Sequence, residues 1–122
     1  MSKLLIVDDN QFYRARLADL FAGEGHEVET AGGWRDAVET GRRFSPDVLV
    51  VDRMLRDDLD GFEISDLLQK IRPAMKTIVI TGYPSAAVER QARESAIFAF
   101  FEKPFDPVEL CASVRRAVEA DG

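Results

Sequence analysis

Short apolar runs alternate with stretches of helical periodicity along the whole of this 122-residue chain. The runs are β-branched or aromatic, and the first, third and fourth are nearly continuous in apolar character, as strands buried on both faces require. They predict strands over Lys3–Val7, Val28–Ala31, Val48–Val51, Thr77–Ile80 and Phe98–Phe101. Strands that alternate with helices through short connections favour right-handed crossovers. We therefore predict an α/β fold, a (βα)5 doubly wound parallel sheet with strand order 2-1-3-4-5.

The helical segments carry the periodicity and the end signals that this fold needs. Tyr13 lies on the apolar face of the first helix, and a fourth helix over about 85–94 is Ala-rich and charged. For the fifth helix, Asp106 is the expected N-cap, Pro107 the first helical residue and Glu109 the partner in a capping box.

The composition fits one acidic globular domain over residues 1–122, with no effector domain in this chain. A net charge of −6 disfavours direct binding to nucleic acid, because no basic stripe offsets phosphate repulsion. The longest apolar run, Ile97–Phe101, is far too short to span a membrane, and Asp8 comes too early for a signal peptide. We therefore expect a cytoplasmic protein. The single Cys111 excludes an intramolecular disulfide and a cysteine-rich zinc site.

Polar residues follow four of the five predicted strands. Asp8 and Asp9 follow the first, Asp52 the third, Thr81 the fourth and Lys103 comes just after the fifth. In an open parallel sheet, ligands bind beyond the carboxyl ends of the strands, near the point where the strand order reverses. The second strand is an edge strand in this order, so the other four ends should converge. The sequence thus predicts one site at this edge of the sheet.

The residue types at this edge indicate phosphoryl chemistry. Carboxylates packed together repel one another unless a cation compensates, and oxygen ligands without His or Cys favour Mg²⁺ over zinc. A carboxylate beside Mg²⁺ can attack phosphorus and form an acyl phosphate. Lys103 would then neutralise phosphoryl oxygens, and the hydroxyl of Thr81 would donate a hydrogen bond to one of them.

The same residues resemble the signature of response-regulator receiver domains of two-component signal transduction systems. The resemblance spans essentially the whole chain and rests on Asp8-Asp9, Asp52, Thr81-Gly82 and Lys103-Pro104-Phe105 in register. It implies that Asp52 is the phosphoacceptor, and that Lys103 and Thr81 assist the transfer. It also implies that Asp9, Asp52 and the backbone carbonyl of Met54 ligate Mg²⁺, with Asp8 reaching the ion through water. The Lys103–Pro104 peptide bond is expected to be cis.

The resemblance also implies a conformational switch and a set of partners. Thr81 and Phe100 match the positions whose side chains respond to phosphorylation and alter the face made by helix four, strand five and helix five. The phosphodonor would be a histidine kinase or a phosphotransfer protein, and the downstream effector is unknown. A phosphorylation-dependent dimer is left open. Beyond Mg²⁺-dependent self-phosphorylation from a phosphodonor and slow autodephosphorylation, no separate enzyme activity is expected.

The chain departs from the family pattern at three places. Arg56 stands where a proline is usual, the loop to Asp60-Gly61 is one residue longer, and Ala96 replaces the glycine that usually ends helix four. A left-handed conformation at Ala96 would cost about 1 kcal/mol, so we expect the chain to leave helix four differently.

Other functions are compatible with the same topology. A pseudo-receiver, which is a protein-interaction module without phosphotransfer, would normally lack Asp9, Asp52 or Lys103, and all are present. A flavodoxin-like phosphate loop would need Ser, Thr or Gly where Asp8 and Asp9 stand. A haloacid-dehalogenase-type phosphatase would need Asp-x-Asp after its first strand. Isolated acidic residues at strand ends can also be solvated turn residues.

Overall fold

The computed structural model describes residues 2–55 and 58–120, so that Arg56 lies outside the described residues. Strands and helices alternate without exception along the chain. In order they are β1 (Lys3–Val7), α1 (Gln11–Gly23), β2 (Glu27–Ala31), α2 (Trp34–Phe44), β3 (Val48–Asp52), α3 (Gly61–Ile71), β4 (Lys76–Thr81), α4 (Ala86–Glu94), β5 (Ala99–Glu102) and α5 (Pro107–Glu119).

The strands form one parallel sheet of order β2-β1-β3-β4-β5, which confirms the predicted fold. Val7 is paired with Val51, and Val51 with Val79. Thr81 is paired with Glu102. The carboxyl ends of β1, β3, β4 and β5 therefore lie side by side, as the site prediction requires.

Alternate residues of the strands enter two apolar clusters on opposite faces of the sheet. On one face, Leu4 and Ile6 pack with side chains of α1 and α5, among them Phe21 and Leu110. On the other, Leu5, Val7 and their neighbours pack with α2, α3 and α4. Every residue of β3 is buried, which explains why its sequence is apolar up to the final Asp52. The helices thus cover the central strands β1, β3 and β4, whose carboxyl ends lie at one edge of the sheet.

The strand bounds differ from the predicted ones by one residue at several ends. Asp52 and Thr81 belong to β3 and β4, whereas β5 begins at Ala99 and extends to Glu102. The sheet continues through Asp52, because Asp52 is paired with Ile80 on β4. The Ile80 carbonyl accepts the N–H of Arg53, the residue after Asp52. Both polar side chains are consequently held by regular sheet backbone.

The predicted capping box at α5 is wrong in one respect. Asp106 is the N-cap and Pro107 begins the helix, but the Asp106 side chain accepts the N–H of Val108 rather than that of Glu109. A reciprocal capping box occurs at α3 instead, between Asp60 and Glu63.

The end of α4 follows the expectation drawn from Ala96. The chain leaves the helix at Ser95, which is extended with φ −92° and ψ 156°. The Ser95 hydroxyl donates to the Gln91 carbonyl at 2.7 Å and so satisfies part of the helix end. Ala96 does not adopt a positive φ. Among residues 2–55 and 58–120, the only non-glycine residue with a positive φ is Ser45.

Within the described part of the chain, the helices are too short or too polar to cross a lipid bilayer.

Candidate functional site

The ends of β1, β3 and β5 bring two carboxylates and one ammonium group together. Asp52 is 8% exposed, and its Oδ2 lies 2.7 Å from Nζ of Lys103. The same ammonium lies 3.8 Å from Oδ2 of Asp8, which is 3% exposed. Buried charges of this kind need a partner, and Lys103 supplies the positive charge to both carboxylates.

The backbone around Asp52 fixes its carboxylate. Oδ1 accepts the N–H of Met54 at 2.9 Å, while Oδ2 faces Lys103. Gly61, the first residue of α3, packs directly against this strand end, and its N–H donates to the Arg53 carbonyl. A Cβ at Gly61 would lie 2.5 Å from the Asp52 carbonyl oxygen and 2.9 Å from Cα of Arg53. Close backbone approach therefore explains the glycine at this position.

Asp8 is the carboxyl group of the site whose pKa is raised well above its usual value. Burial raises the pKa of Asp8 to about 6, and repulsion from Asp52 and Asp9 adds to the rise. The Asn10 N–H, which donates to Asp8 Oδ1 at 2.9 Å, and the charge of Lys103 act in the opposite direction. Asp9 is half-buried and next in the chain. Asp8 and Asp52 thus share the ammonium group of Lys103.

Thr81 lies beside these groups as the last residue of β4. It is fully buried, and its hydroxyl oxygen accepts the N–H of Tyr83 at 3.1 Å. The N–H of Lys103 donates to the Thr81 carbonyl at 2.7 Å, which ties the lysine backbone to the end of β4. The Lys103–Pro104 peptide bond is cis, so that this prediction is confirmed.

Phe100 lies in the middle of β5, paired with Val79 and half-buried. Its side chain packs against the cluster that contains Val88 and Ala92 of α4. Phe100 therefore lies on the face of the sheet that α4 covers.

Three residues of α1 and its N-cap contribute to the site in ways that the sequence analysis missed. Asn10 caps the helix by accepting the N–H of Tyr13, and Nη1 of Arg14 donates to the Asp8 carbonyl at 2.7 Å. The Tyr13 ring lies under the ammonium of Lys103, 4.1 Å from ring centroid to Nζ. Burial, followed by the charges of Asp8 and Asp52, raises the pKa of Tyr13 to about 12. The Asp-Asp-Asn run was a usable capping signal, but helical periodicity identified Tyr13 only as an apolar-face residue.

The donor chemistry of the site fits Mg²⁺, although the carboxylates do not form a preformed three-ligand cluster. Among residues 2–55 and 58–120, no three His, Cys, Asp or Glu side chains are grouped closely enough to hold a metal ion by themselves. Mg²⁺ usually keeps several waters and binds through one or two carboxylates, so two suffice. The two buried carboxylates of Asp8 and Asp52, both in reach of one ammonium group, supply the oxygen donors that favour a cation here.

Comparison with known proteins connects this site to a family. The family model described as the response regulator receiver domain matches residues 4–115. The chain belongs to this receiver family. Its strand order and its parallel sheet agree with the solved receiver structures.

The chain is similar both to a relative of about its own length and to part of a much longer one. The chemotaxis protein CheY of Thermotoga maritima is 30% identical, over 93% of this chain and 95% of its own length. The DNA-binding transcriptional regulator NtrC of Azospirillum brasilense is also 30% identical, over 97% of this chain. The chain spans about a quarter of the length of that regulator, 24%. A CheY-like receiver structure from Methanospirillum hungatei JF-1 superposes with a TM-score of 0.89, at 26% identity, covering 98% of this chain and 94% of that one.

Proposed function

We propose that this receiver is the phosphoacceptor switch of a two-component system, and that Asp52 takes a phosphoryl group from a histidine kinase or a phosphotransfer protein. The observation that carries the proposal is the 2.7 Å contact between Asp52 Oδ2 and Lys103 Nζ at the converging strand ends. A buried nucleophilic carboxylate next to an ammonium is what stabilisation of a transferred phosphoryl group requires.

The transfer is a displacement at phosphorus. An oxygen of Asp52 attacks the phosphorus of the donor phosphohistidine, the phosphorus–nitrogen bond breaks, and the donor nitrogen keeps the electron pair. Lys103 remains beside the phosphoryl oxygens and neutralises their charge. The hydroxyl of Thr81 turns from accepting the Tyr83 N–H to donating to a phosphoryl oxygen. Hydrolysis of the acyl phosphate by water later restores Asp52.

Asp9, Asp52 and the backbone carbonyl of Met54 would hold Mg²⁺, with Asp8 reaching it through water. The ion would supply positive charge to the phosphoryl oxygens in the transition state. The surrounding protein residues would orient the Asp52 carboxylate and exclude bulk water from it.

The signal would leave the site through β4 and β5. When Thr81 moves toward the phosphoryl group, space would open next to the half-buried Phe100, which packs against the cluster that contains Val88 and Ala92 of α4. A change in the Phe100 rotamer would then alter the face formed by α4, β5 and α5. An unidentified effector, or a second phosphorylated copy, would bind this face. We also propose that the protein acts in the cytoplasm, where its phosphodonor would reach it.

Mass spectrometry after incubation with acetyl phosphate tests the proposal. We expect the wild-type protein to gain one phosphoryl group when Mg²⁺ is present and none when it is chelated. Asp52→Asn should abolish the gain, because the amide is not a nucleophile. Asp66→Asn is the matched control, since Asp66 is exposed on α3 away from the strand ends, and it should be phosphorylated like the wild type.

Two outcomes would contradict the proposal. An unmodified wild-type protein at millimolar Mg²⁺ would point instead to a pseudo-receiver that acts only as an interaction module. Phosphorylation that persists in Asp52→Asn would move the acceptor to another residue.

A further inference from the structure

The Lys103 ammonium makes a contact that its salt bridges do not explain. Its Nζ lies 4.1 Å from the centroid of the Tyr13 ring, well inside the distance of about 6 Å at which a cation is attracted by an aromatic face. Tyr13 belongs to the first turn of α1, whereas Lys103 directly follows β5. The contact therefore joins the first helix to the segment after the last strand.

The Tyr13 ring is itself held in place. Its N–H donates to Oδ1 of the N-cap residue Asn10 at 3.0 Å, which fixes the backbone of the first helical turn. Its ring meets Phe105 edge-on, with centroids 6.2 Å apart and planes at 87°. Both rings pack against the apolar cluster between the sheet and helices α1 and α5. The aromatic face therefore presents a fixed surface to the ammonium.

A lysine side chain has a flexible stem and a single point charge, so its position depends on what surrounds it. Lys103 has a carboxylate contact at 2.7 Å to Asp52 and a longer one at 3.8 Å to Asp8. On the side of α1, the ammonium faces the ring of Tyr13. An aliphatic side chain there would remove water from the ammonium without compensation, whereas an aromatic face compensates by electrostatic attraction.

We propose that Tyr13 is a positioning residue that holds the Lys103 ammonium between Asp8 and Asp52. The inference rests on the proposed phosphoacceptor function, and it assigns to Tyr13 the orientation of Lys103 toward the incoming phosphoryl group. Tyr13 acts through Lys103 and makes no contact with the reacting atoms. Its phenol oxygen has no part in this role, so that the aromatic face alone should suffice.

Two substitutions separate the aromatic face from the other properties of Tyr13. Tyr13→Phe keeps the ring and removes the hydroxyl group, whereas Tyr13→Leu keeps an apolar side chain and removes the ring. With acetyl phosphate at saturating Mg²⁺, we expect Tyr13→Phe to be phosphorylated at the wild-type rate. Tyr13→Leu should be slower by about fivefold. Phe12→Leu is the matched control, because Phe12 is the neighbouring aromatic residue of α1 but is 79% exposed, and its rate should not change.

Nuclear magnetic resonance of the lysine ε-methylene groups tests the contact without phosphorylation. The chain has only four lysines, Lys3, Lys70, Lys76 and Lys103, and the signal missing in Lys103→Arg identifies the last. Protons above an aromatic face are shifted upfield by the ring current. We expect an upfield Lys103 signal in the wild type and in Tyr13→Phe, and its loss in Tyr13→Leu. Lys3, whose Nζ lies 5.6 Å from the Phe44 ring, is an internal reference that should not change.

The outcomes separate the two proposals. A Lys103 signal that is not upfield in the wild type, or that stays upfield in Tyr13→Leu, would overturn the contact. Loss of the shift with an unchanged phosphorylation rate, or a Tyr13→Phe rate as slow as that of Tyr13→Leu, would overturn the positioning role and leave the phosphoacceptor function intact. A wild type that accepts no phosphoryl group would overturn both roles, even if the upfield signal is present. Should Tyr13→Leu fail to fold, Tyr13→Met is the second variant without a ring, with the same expected results.

Discussion

At the scale of single residues, the site places two buried carboxylates at unequal distances from one ammonium group. Asp52 faces Lys103 at 2.7 Å, whereas Asp8 lies 3.8 Å from the same ammonium and is more deeply buried. One ammonium group thus faces two buried carboxylates. The unbalanced charge is a cost to the folded state, and the cost should be measurable.

We predict that Asp8→Asn stabilises the metal-free protein at neutral pH. The pKa of Asp8 rises from 3.8 to about 6 on folding, chiefly because of burial. The folded state thus binds more protons than the unfolded state between these values, and stability falls as the pH rises through this window. Above about pH 6 the ionised Asp8 destabilises the fold by on the order of 3 kcal/mol, and below about pH 4 this contribution is absent.

Urea unfolding with a chelator at about pH 4.5 and about pH 7.5 would measure the difference. The free energy of unfolding of Asp8→Asn should exceed that of the wild type at the higher pH, and the gap should shrink at the lower. The exposed Asp66→Asn is the control for loss of one negative charge. A gap that is equal at both pH values would show that Asp8 is not the titrating group.

The lifetime of the phosphoryl group is a second property of single residues. The resemblance to receivers implies that the second residue after the phosphoacceptor and the second after the strand-four hydroxyl border the path of the hydrolytic water. Here they are Met54 and Tyr83, which are large, uncharged and exposed at 47% and 71%. Neither can orient water by charge, and misplacing a reacting group by about 1 Å can cost on the order of a hundredfold in rate.

We therefore predict that Tyr83→Ala combined with Met54→Asn accelerates loss of the phosphoryl group without preventing phosphorylation. The decay of phosphorylated protein at saturating Mg²⁺, after removal of the donor, measures the rate. Phe12→Leu, an exposed aromatic residue of α1, is a control for loss of apolar surface. Equal decay rates in the double variant and the wild type would refute the explanation.

At the scale of elements, the position of Asp52 depends on how closely α3 approaches the end of β3. Gly61 permits this approach, because a Cβ there would lie 2.5 Å from the Asp52 carbonyl oxygen. The neighbouring atoms are backbone and cannot move aside cheaply. We predict that Gly61→Ala destabilises the fold by about 1–3 kcal/mol and slows phosphorylation, because the strand end must shift.

Gly23 provides a matched control for this substitution. It is the last residue of α1, and a Cβ there would meet nothing within 4 Å. Gly23→Ala should be neutral or slightly stabilising, since alanine favours the helix by up to about 1 kcal/mol. Thermal unfolding and the phosphorylation rate of both variants compare the two positions. If Gly61→Ala behaves like Gly23→Ala, the close approach is not required.

The sequence predicted the elements well because periodicity and burial on both faces leave few alternatives. It located the strand ends to within one residue, and it therefore predicted that Asp8, Asp52, Thr81 and Lys103 lie at or just beyond the carboxyl ends of the strands. Contacts between distant elements were not accessible in this way. The Tyr13–Lys103 contact and the packing of Gly61 on Asp52 depend on how α1 and α3 are docked. The choice of Val108 over Glu109 in the α5 cap depends on side-chain geometry that a motif does not specify.

At the scale of the whole molecule, the acidic edge of the sheet is separate from the two clusters that stabilise the fold. Leu4–Val7 and Val48–Val51 are buried between the helices, whereas Asp8 directly follows β1 and Asp52 is the last residue of β3. Repulsion at this edge therefore acts against the docking of whole strands. A cation that relieves it should increase the stability of the entire domain.

We predict that Mg²⁺ raises the melting temperature of the wild-type protein. A ligand that binds only the folded state stabilises it by RT ln(1 + [L]/Kd), which is about 1.4 kcal/mol at tenfold excess over Kd. For a domain of this size that corresponds to an increase of about 5 °C. Asp52→Asn should reduce the increase, because it removes both a ligand and part of the repulsion, whereas the exposed Asp66→Asn should retain it. Scanning calorimetry across millimolar Mg²⁺, with Ca²⁺-free buffer and constant ionic strength, separates specific binding from screening. A ligand that binds the folded state must stabilise it. A melting temperature that does not depend on Mg²⁺ would therefore exclude a metal site formed by Asp9, Asp52 and the Met54 carbonyl.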